Sequence, residues 1–400
     1  MIIIHTADWH LRDKDVDEAE KCLAALIETA TDRFADLIVI AGDIFDSQEV
    51  KLDSKAAKLA VRTVSALADI CPVAIVIGTS SHDGMAPSVL ANVRGRFPVK
   101  VAATPEQVFL YNLSFRDVMP ADSEPQAVIT LIPQPTKQFF QTQSGIVESD
   151  KEIGEAMSAL FAGFGARAAA YPDVPHILIG HWNVAGSILS NGQTLVGMDI
   201  EIGNDQMALA NPTLTCLGHI HKAQQIGLST FYSGSLHHLN WGELETKGYW
   251  EHNIAGQNLV ESIFRETPAR KLARFRFDLT AGEVIDVPFD GIAGADVRID
   301  VTVWQDEAGM VDKTSIADNL ARWGAQSVDV RLIRVPRQNV RSEAVLKVER
   351  LREKIEKMAE LKGVEISASV LAKAVDLEAH TADELVSIVG GNHEDTKVAA

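Results

Sequence analysis

At 400 residues the chain is too long for one ordinary core, so two or three domains are expected. Hydrophobic content of 46% and charged content of 23% are those of a soluble globular protein, and no apolar run reaches the roughly 18 residues of a membrane span. With 37 basic against 55 acidic residues the net charge is −18, which excludes adhesion to nucleic acid or anionic lipid over the whole surface; any such contact has to come from a local basic patch or from bound cations. Cys22, Cys71 and Cys216 sit inside apolar or helical patterns at unpaired spacings, as in a reduced, cytoplasmic protein. Met1-Ile2-Ile3-Ile4 is too short for a signal sequence and lacks a basic flank, so neither secretion nor membrane insertion is expected.

Ile2-Ile3-Ile4-His5-Thr6 reads as a β-branched strand followed at once by Asp8 and His10, a spacing at which a carboxylate and an imidazole can share a cation. Helical spacing over 16–34 leads into Leu37-Ile38-Val39-Ile40-Ala41, a strand buried on both faces, which emerges at Gly42 and presents Asp43. A second helix over 53–69 precedes the buried strand 72–77, which ends in Gly78-Thr79-Ser80-Ser81-His82-Asp83. This alternation predicts a parallel α/β sheet, whose sites lie at the C-terminal strand ends. Further strands follow near 99–103, 107–112 and 127–132, then a helix at 150–168. Two more buried strands end in Gly180-His181 and in Gly218-His219-Ile220-His221.

Each of these endings has an ordinary explanation by itself, since an aspartate after a strand is often a turn residue or a cap. Folding needs no histidine at a buried strand's terminus, however, and here strand after strand ends in groups able to bind a metal. His5, His176, His252 and His380 lack such a setting and read as structural or surface residues, and His237 and His238 merely follow a Gly-Ser turn.

Asp8-x-His10, Gly42-Asp43-x-x-Asp46, Gly78…His82-Asp83, Gly180-His181 and Gly218-His219-x-His221 together resemble the signature of calcineurin-like metallophosphoesterases. The opening His5-Thr6-Ala7-Asp8-Trp9-His10-Leu11, Tyr232-Ser233-Gly234-Ser235-Leu236, Gly242-Glu243 and Lys247-Gly248-Tyr249 resemble the SbcD type within them, nuclease subunits of a double-strand-break repair complex. The motifs cover roughly residues 1–250. The resemblance implies two divalent cations, one held by Asp8, His10, Asp43 and His221 and the other by Asp43, His181 and His219, with His82 protonating the leaving oxygen. Mixed oxygen and imidazole ligands suit manganese, with iron or zinc as alternatives. The family's third motif reads Gly-Asn-His-Asp, its asparagine a ligand of the second metal. Here Ser81 stands before the histidine and is the expected substitute, a hydroxyl in place of an amide.

From about 261 basic and aromatic residues interleave: Arg265, Arg270, Lys271, Arg274 and Arg276 with Phe264, Phe275 and Phe277, and later Arg331, Arg334, Arg337 and Arg341. Strands at 273–278, 297–303 and 327–335 with a helix near 314–324 predict a small β-β-α-β unit. Its basic residues, Arg270, Lys271, Arg274, Arg334 and Arg337 above all, read either as a solvated strand face or as a track for a DNA backbone. Val345, Val348, Leu351, Ile355, Met358 and Leu361 stripe one C-terminal helix and 368–388 another, either core or a docking surface. The expected organisation is an α/β sheet-and-helix sandwich at 1–260, a small α+β capping domain at 261–341 and a helical segment at 342–400. By resemblance the chain is a DNA exonuclease or endonuclease, working as a homodimer with an SbcC-like ATPase docked on the C-terminal helices. A phosphatase or cyclic-nucleotide phosphodiesterase on the same site, or a weakly active scaffold, are the alternatives.

Overall fold

Every residue of the strand Leu37–Ala41 is buried, because its two faces meet different layers. Ile38 and Ile40 pack against the helices Val16–Asp32 and Lys55–Ala68, whereas Leu37, Val39 and Ala41 pack against a second sheet. A strand covered on both sides needs apolar residues at every position, which is why this stretch is a continuous apolar run. The computed structural model describes residues 1–136, 150–191, 200–337, 348–381 and 384.

The first sheet has six strands. Ile2–Thr6, Leu37–Ala41 and Val73–Val76 run parallel, as the sequence predicted, and Val99–Ala102 continues the sheet parallel beyond them. Gly248–Ala255 pairs antiparallel with Ile2–Thr6, and Asn258–Glu266 extends that edge. In the seven-stranded second sheet His176–His181 lies between Ala127–Ile132 and Leu214–Gly218, parallel to both. Its outer face is covered by the helix Asp150–Ala168 through Ile153, Met157 and Phe161. The layers are therefore helix, sheet, sheet, helix, a sheet-and-helix sandwich, with the strands that precede the candidate ligands central in each sheet.

Asn258–Glu266 belongs to the first sheet, so the chain leaves the sandwich only after Glu266 and not at the expected boundary of 261. Lys271–Asp278, Ala295–Trp304 and Ser327–Val335 form a separate three-stranded sheet in that order, with Val297, Ile299 and Val301 packed on Leu320 of the helix Lys313–Arg322. The chain divides into two compact units, residues 1–302 with 312–333, and residues 303–311 with 334–400. In the second, Leu351–Lys362 and Ala368–Ala379 are helices. Among their residues Met358, Leu361, Val370 and Leu377 are exposed and Ala374 is buried. Arg341, Val345 and most of the stripe beyond 381 lie outside the described residues. No helix among the described residues is long and apolar enough to cross a membrane.

Candidate metal centre

The loops that leave the C-terminal strand ends are stitched side by side. Asp8 N–H donates to Gly42 O at 3.0 Å, His10 N–H to Asp43 O at 3.0 Å and Leu11 N–H to Ile44 O at 2.9 Å. This course forces Asp8, His10, Asp43 and His219 to positive φ, at 51°, 42°, 52° and 90°. L-residues other than glycine reach that region at about 1–3 kcal/mol each, a strain characteristic of functional sites. Gly42, at φ 87°, lets the chain pass where a Cβ would lie 2.4 Å from His181 Nδ1.

The result is two adjacent groups of donors, all buried except the partly exposed His221. Asp8, His10 and His221 form one and Asp43, His181 and His219 the other, the donor atoms within each lying within 4.8 Å of one another. Asp43 belongs to both in effect, with Oδ2 3.2 Å from His181 Nε2 and 3.6 Å from His10 Nε2. The expected ligands Asp8, His10, Asp43, His181, His219 and His221 are thus brought together.

Neighbouring groups fix which ring nitrogen faces inward. His181 Nδ1–H donates to Ala41 O at 2.7 Å, and His221 Nδ1–H donates to Glu243 Oε1 at 3.0 Å. In each ring Nε2 is left for the centre, the arrangement of a metal-ligating histidine with a backbone or carboxylate partner behind it. His221 Nε2 then meets His10 Nε2 at 3.1 Å, two nitrogens that need a proton or a cation between them. Asp8 Oδ1 accepts the His219 N–H at 2.9 Å, while its buried Oδ2 has no hydrogen-bond partner among the described residues. A buried carboxylate oxygen without a partner beside inward-facing imidazoles is a donor set that fits a divalent cation.

Protonation reflects the same crowding. Burial pushes Asp8 up and, reinforced by neighbouring imidazoles, pulls His10 well below its usual range, although Asp43 opposes the latter. Burial also disfavours charge on Asp43 and His181, but their mutual attraction outweighs it: Asp43 lies well below the usual carboxylate range and His181 rises to about 9. This pairing favours a proton on His181, which a bound cation would have to displace.

His82 stands at the rim, half-buried, its ring edge-on to His10 with centroids 4.7 Å apart. Its Nδ1 lies 3.0 Å from Asp46 O, and since a carbonyl only accepts, Nδ1 is the donor. Asp83 is structural, accepting the N–H groups of Phe45 and Gly78 at 2.9 Å each, and burial raises its pKa to about 7.

Ser81 is exposed, whereas the hydroxyl that reaches the Asp43 group is that of Thr79, 3.0 Å from Asp43 Oδ2 and 3.2 Å from His181 Nε2. Counting back from His82 pointed to the serine; counting forward from Gly78, which the family's asparagine directly follows, would have found the threonine. Glu243 and Lys247 were also unassigned in role. Both are buried, with Lys247 Nζ 2.8 Å from Glu243 and from Glu245 and donating to His221 O at 3.1 Å, so the pair braces the His221 loop.

The expected basic track is largely paired. Arg270 lies 3.6 Å from Asp296, Arg274 2.6 Å from Asp300, and Arg337 3.0 Å from Asp306. Lys271 and Arg334 are exposed. His5, Cys216 and His252 also cluster, but their nitrogens form a chain from Ser262 Oγ through His252 and His5 to Leu217 O, and burial keeps the thiol protonated. His176 is likewise satisfied by Thr130 and Ala210, whereas His237 and His238 each bond a backbone carbonyl through Nε2, their buried Nδ1 atoms having no hydrogen-bond partner among the described residues.

No protein-family model matches the chain. Among curated proteins it is 27% identical to the SbcD subunit of nuclease SbcCD from Escherichia coli K12 over 250 residues, 57% of this chain and 58% of that one. It is 24% identical to the SbcD subunit of nuclease SbcCD from Staphylococcus epidermidis over 277 residues, 66% of this chain and 69% of that one. The match thus spans less than two thirds of the Escherichia coli relative. Solved structures with a similar course include GAP50, the anchor in the inner membrane complex of Plasmodium (TM-score 0.42, 13% identity, 73% of this chain and 98% of that one). A dimetal phosphatase from Danio rerio is another (TM-score 0.41, 10% identity, 67% of this chain and 99% of that one).

Proposed function

We propose that this chain, a metallophosphoesterase of the SbcD type by sequence similarity, is a metal-dependent DNA exonuclease or endonuclease and the nuclease subunit of an SbcCD-type repair complex. The observation that carries the reading is the convergence of Asp8, His10, His221 and of Asp43, His181, His219 into two neighbouring donor groups joined by Asp43. Asp8, His10, Asp43 and His221 would hold one divalent cation and Asp43, His181 and His219 the other, with manganese suited to the mixed donors. When bound, such a pair neutralises phosphate charge and acidifies a water. His82 would pass a proton from Nε2–H to the leaving oxygen, with Asp46 O holding its Nδ1–H. Glu243 and Ala41 O hold His221 and His181 in the tautomer and orientation the centre needs.

Arg270, Lys271, Arg274, Arg334 and Arg337 would be the residues that meet a DNA backbone. The exposed apolar residues of the C-terminal helices support docking of an SbcC-like ATPase, with the chain acting as a homodimer. Three buried free cysteines fit a reducing, cytoplasmic setting. One observation favours a second reading, a phosphatase or cyclic-nucleotide phosphodiesterase: most of the named arginines already face carboxylates. Manganese-dependent digestion of linear duplex DNA, compared with hydrolysis of p-nitrophenyl phosphate, tests the choice, with Asp43→Asn as the control that should abolish either. Hydrolysis of the monoester alone would reject the nuclease reading.

A further inference from the structure

We infer that the Thr79 hydroxyl, and not the expected Ser81 hydroxyl, is the neutral oxygen offered to the second cation. The inference rests on the two-cation reading above and deepens it. Thr79 directly follows Gly78, whose Cα approaches the Asp43 loop so closely that a Cβ there would lie 2.2 Å from Asp43 N and Oδ1. That approach brings the Thr79 N–H onto Asp43 Oδ1 at 2.5 Å and its hydroxyl 3.0 Å from Oδ2 of the same carboxylate. The hydroxyl is also 3.2 Å from His181 Nε2, the nitrogen turned inward because Nδ1–H is held by Ala41 O.

The serines are led away. The N–H groups of His82 and Asp83 both return to Thr79 O, at 3.0 and 2.8 Å, closing a turn in which Ser80 and Ser81 are exposed. Ser80 N–H is tied outward to Gln134 Oε1 at 3.2 Å. The extra residues of the third motif therefore bulge between ligand and acid without displacing either.

An alcohol that gives a lone pair to a cation keeps its proton, which then needs an acceptor. Asp43 Oδ2 is that acceptor, already in hydrogen-bond reach, and branching at the threonine Cβ restricts the side chain to few rotamers. A neutral alcohol is a poorer donor than an amide oxygen, so the second cation should be the more weakly held.

Equilibrium dialysis of the full chain against manganese(II), with metal counted by elemental analysis, tests this without reference to turnover. The wild type should bind two ions with separable affinities. Thr79→Val should leave the tighter affinity unchanged and weaken the other by about tenfold or more, the scale seen when groups supporting a metal site are removed. Thr79→Ser should stay within a few-fold of wild type, and Ser81→Ala should match it. Should Thr79→Val not fold, Thr79→Ala removes the same hydroxyl with less bulk and carries the same expectation. Two unchanged affinities in a folded Thr79 variant, or a second affinity lost in Ser81→Ala, would overturn the inference. A wild type that binds no manganese would instead reject the two-cation reading itself.

Discussion

Replacing Glu243 by glutamine should destabilise the chain by about 3 kcal/mol at neutral pH and weaken manganese binding about 10- to 100-fold, because one carboxylate anchors both a buried lysine and a candidate ligand. Glu243 accepts from His221 Nδ1 at 3.0 Å, Asn240 Nδ2 at 2.9 Å and Lys247 Nζ at 2.8 Å. Burial disfavours its charge, yet these partners prevail and lower its pKa from 4.5 to about 2. At about 1.4 kcal/mol per pH unit that difference corresponds to about 3 kcal/mol. Breaking a buried ion pair, estimated separately, costs about 3–5 kcal/mol. The low end applies because Lys247 keeps Glu245 at 2.8 Å. Since the folded pKa is the lower one, this contribution is complete above pH 4.5 and is lost as pH falls through 2. The gap between wild type and variant should therefore be full at pH 7 and narrow in acid. Urea unfolding with chelator present measures stability, and manganese dialysis measures the ligand's support. A Glu243→Gln chain with wild-type stability and wild-type manganese affinity would refute the argument.

His82→Ala should leave manganese and DNA binding intact and lower turnover by roughly 10²-fold or more, the scale of a lost general acid, as single-turnover assays beside dialysis would show; equal losses of binding and turnover would make His82 structural. Because His181 rises to about 9 in the cation-free chain, proton and cation compete below that pH. Manganese affinity should climb with pH and level off above about 9, with proton release detectable by calorimetry in buffers of different ionisation enthalpy; uptake without release would refute the pairing with Asp43. Removing residues 342–400 should abolish co-purification of an ATPase partner and spare manganese-dependent cleavage; an insoluble product would mean that the helices are core.

How much of this was legible depends on whether the deciding interaction is local. The strand at 37–41 and the groups after it could be read because burial on both faces leaves an unbroken apolar run, and a parallel sheet delivers every such run's end to one edge. The repetition of that ending marked the metal-capable side chains, while their division between two cations came only from the resemblance. The antiparallel strand Gly248–Ala255 beside Ile2–Thr6 was not legible, since that pairing joins residues far apart in sequence and leaves no local spacing to read. The same holds for Glu243 behind His221 and for Lys247 behind Glu243. Thr79 was obscured for another reason: the bulge at Ser80 and Ser81 changes the count from the histidine without changing the approach of Gly78 to Asp43.

Charge pattern was the feature that sequence could least resolve. A cluster of arginines looks like a phosphate track until the cross-strand neighbours are known, and here Asp300 lies 2.6 Å from Arg274 and 4.0 Å from Arg276, with Asp329 bridging Arg298 and Arg331 at 2.9 Å each. A DNA phosphate approaching Arg274 would exchange one anion for another, so the exchange adds little affinity and releases few counterions. On a chain of net charge −18 this leaves cations at the centre, with exposed Lys271 and Arg334, as the main sources of attraction. Asp300→Asn frees Arg274 and Arg276 without altering the candidate ligands. If the small sheet meets DNA, the variant should bind duplex more tightly and steepen the dependence of log K on log salt by about 1 for each arginine that gains a phosphate. Binding titrations over a range of salt at fixed manganese measure both. An unchanged slope would place the small sheet away from the DNA backbone and leave its arginines as partners for its own aspartates.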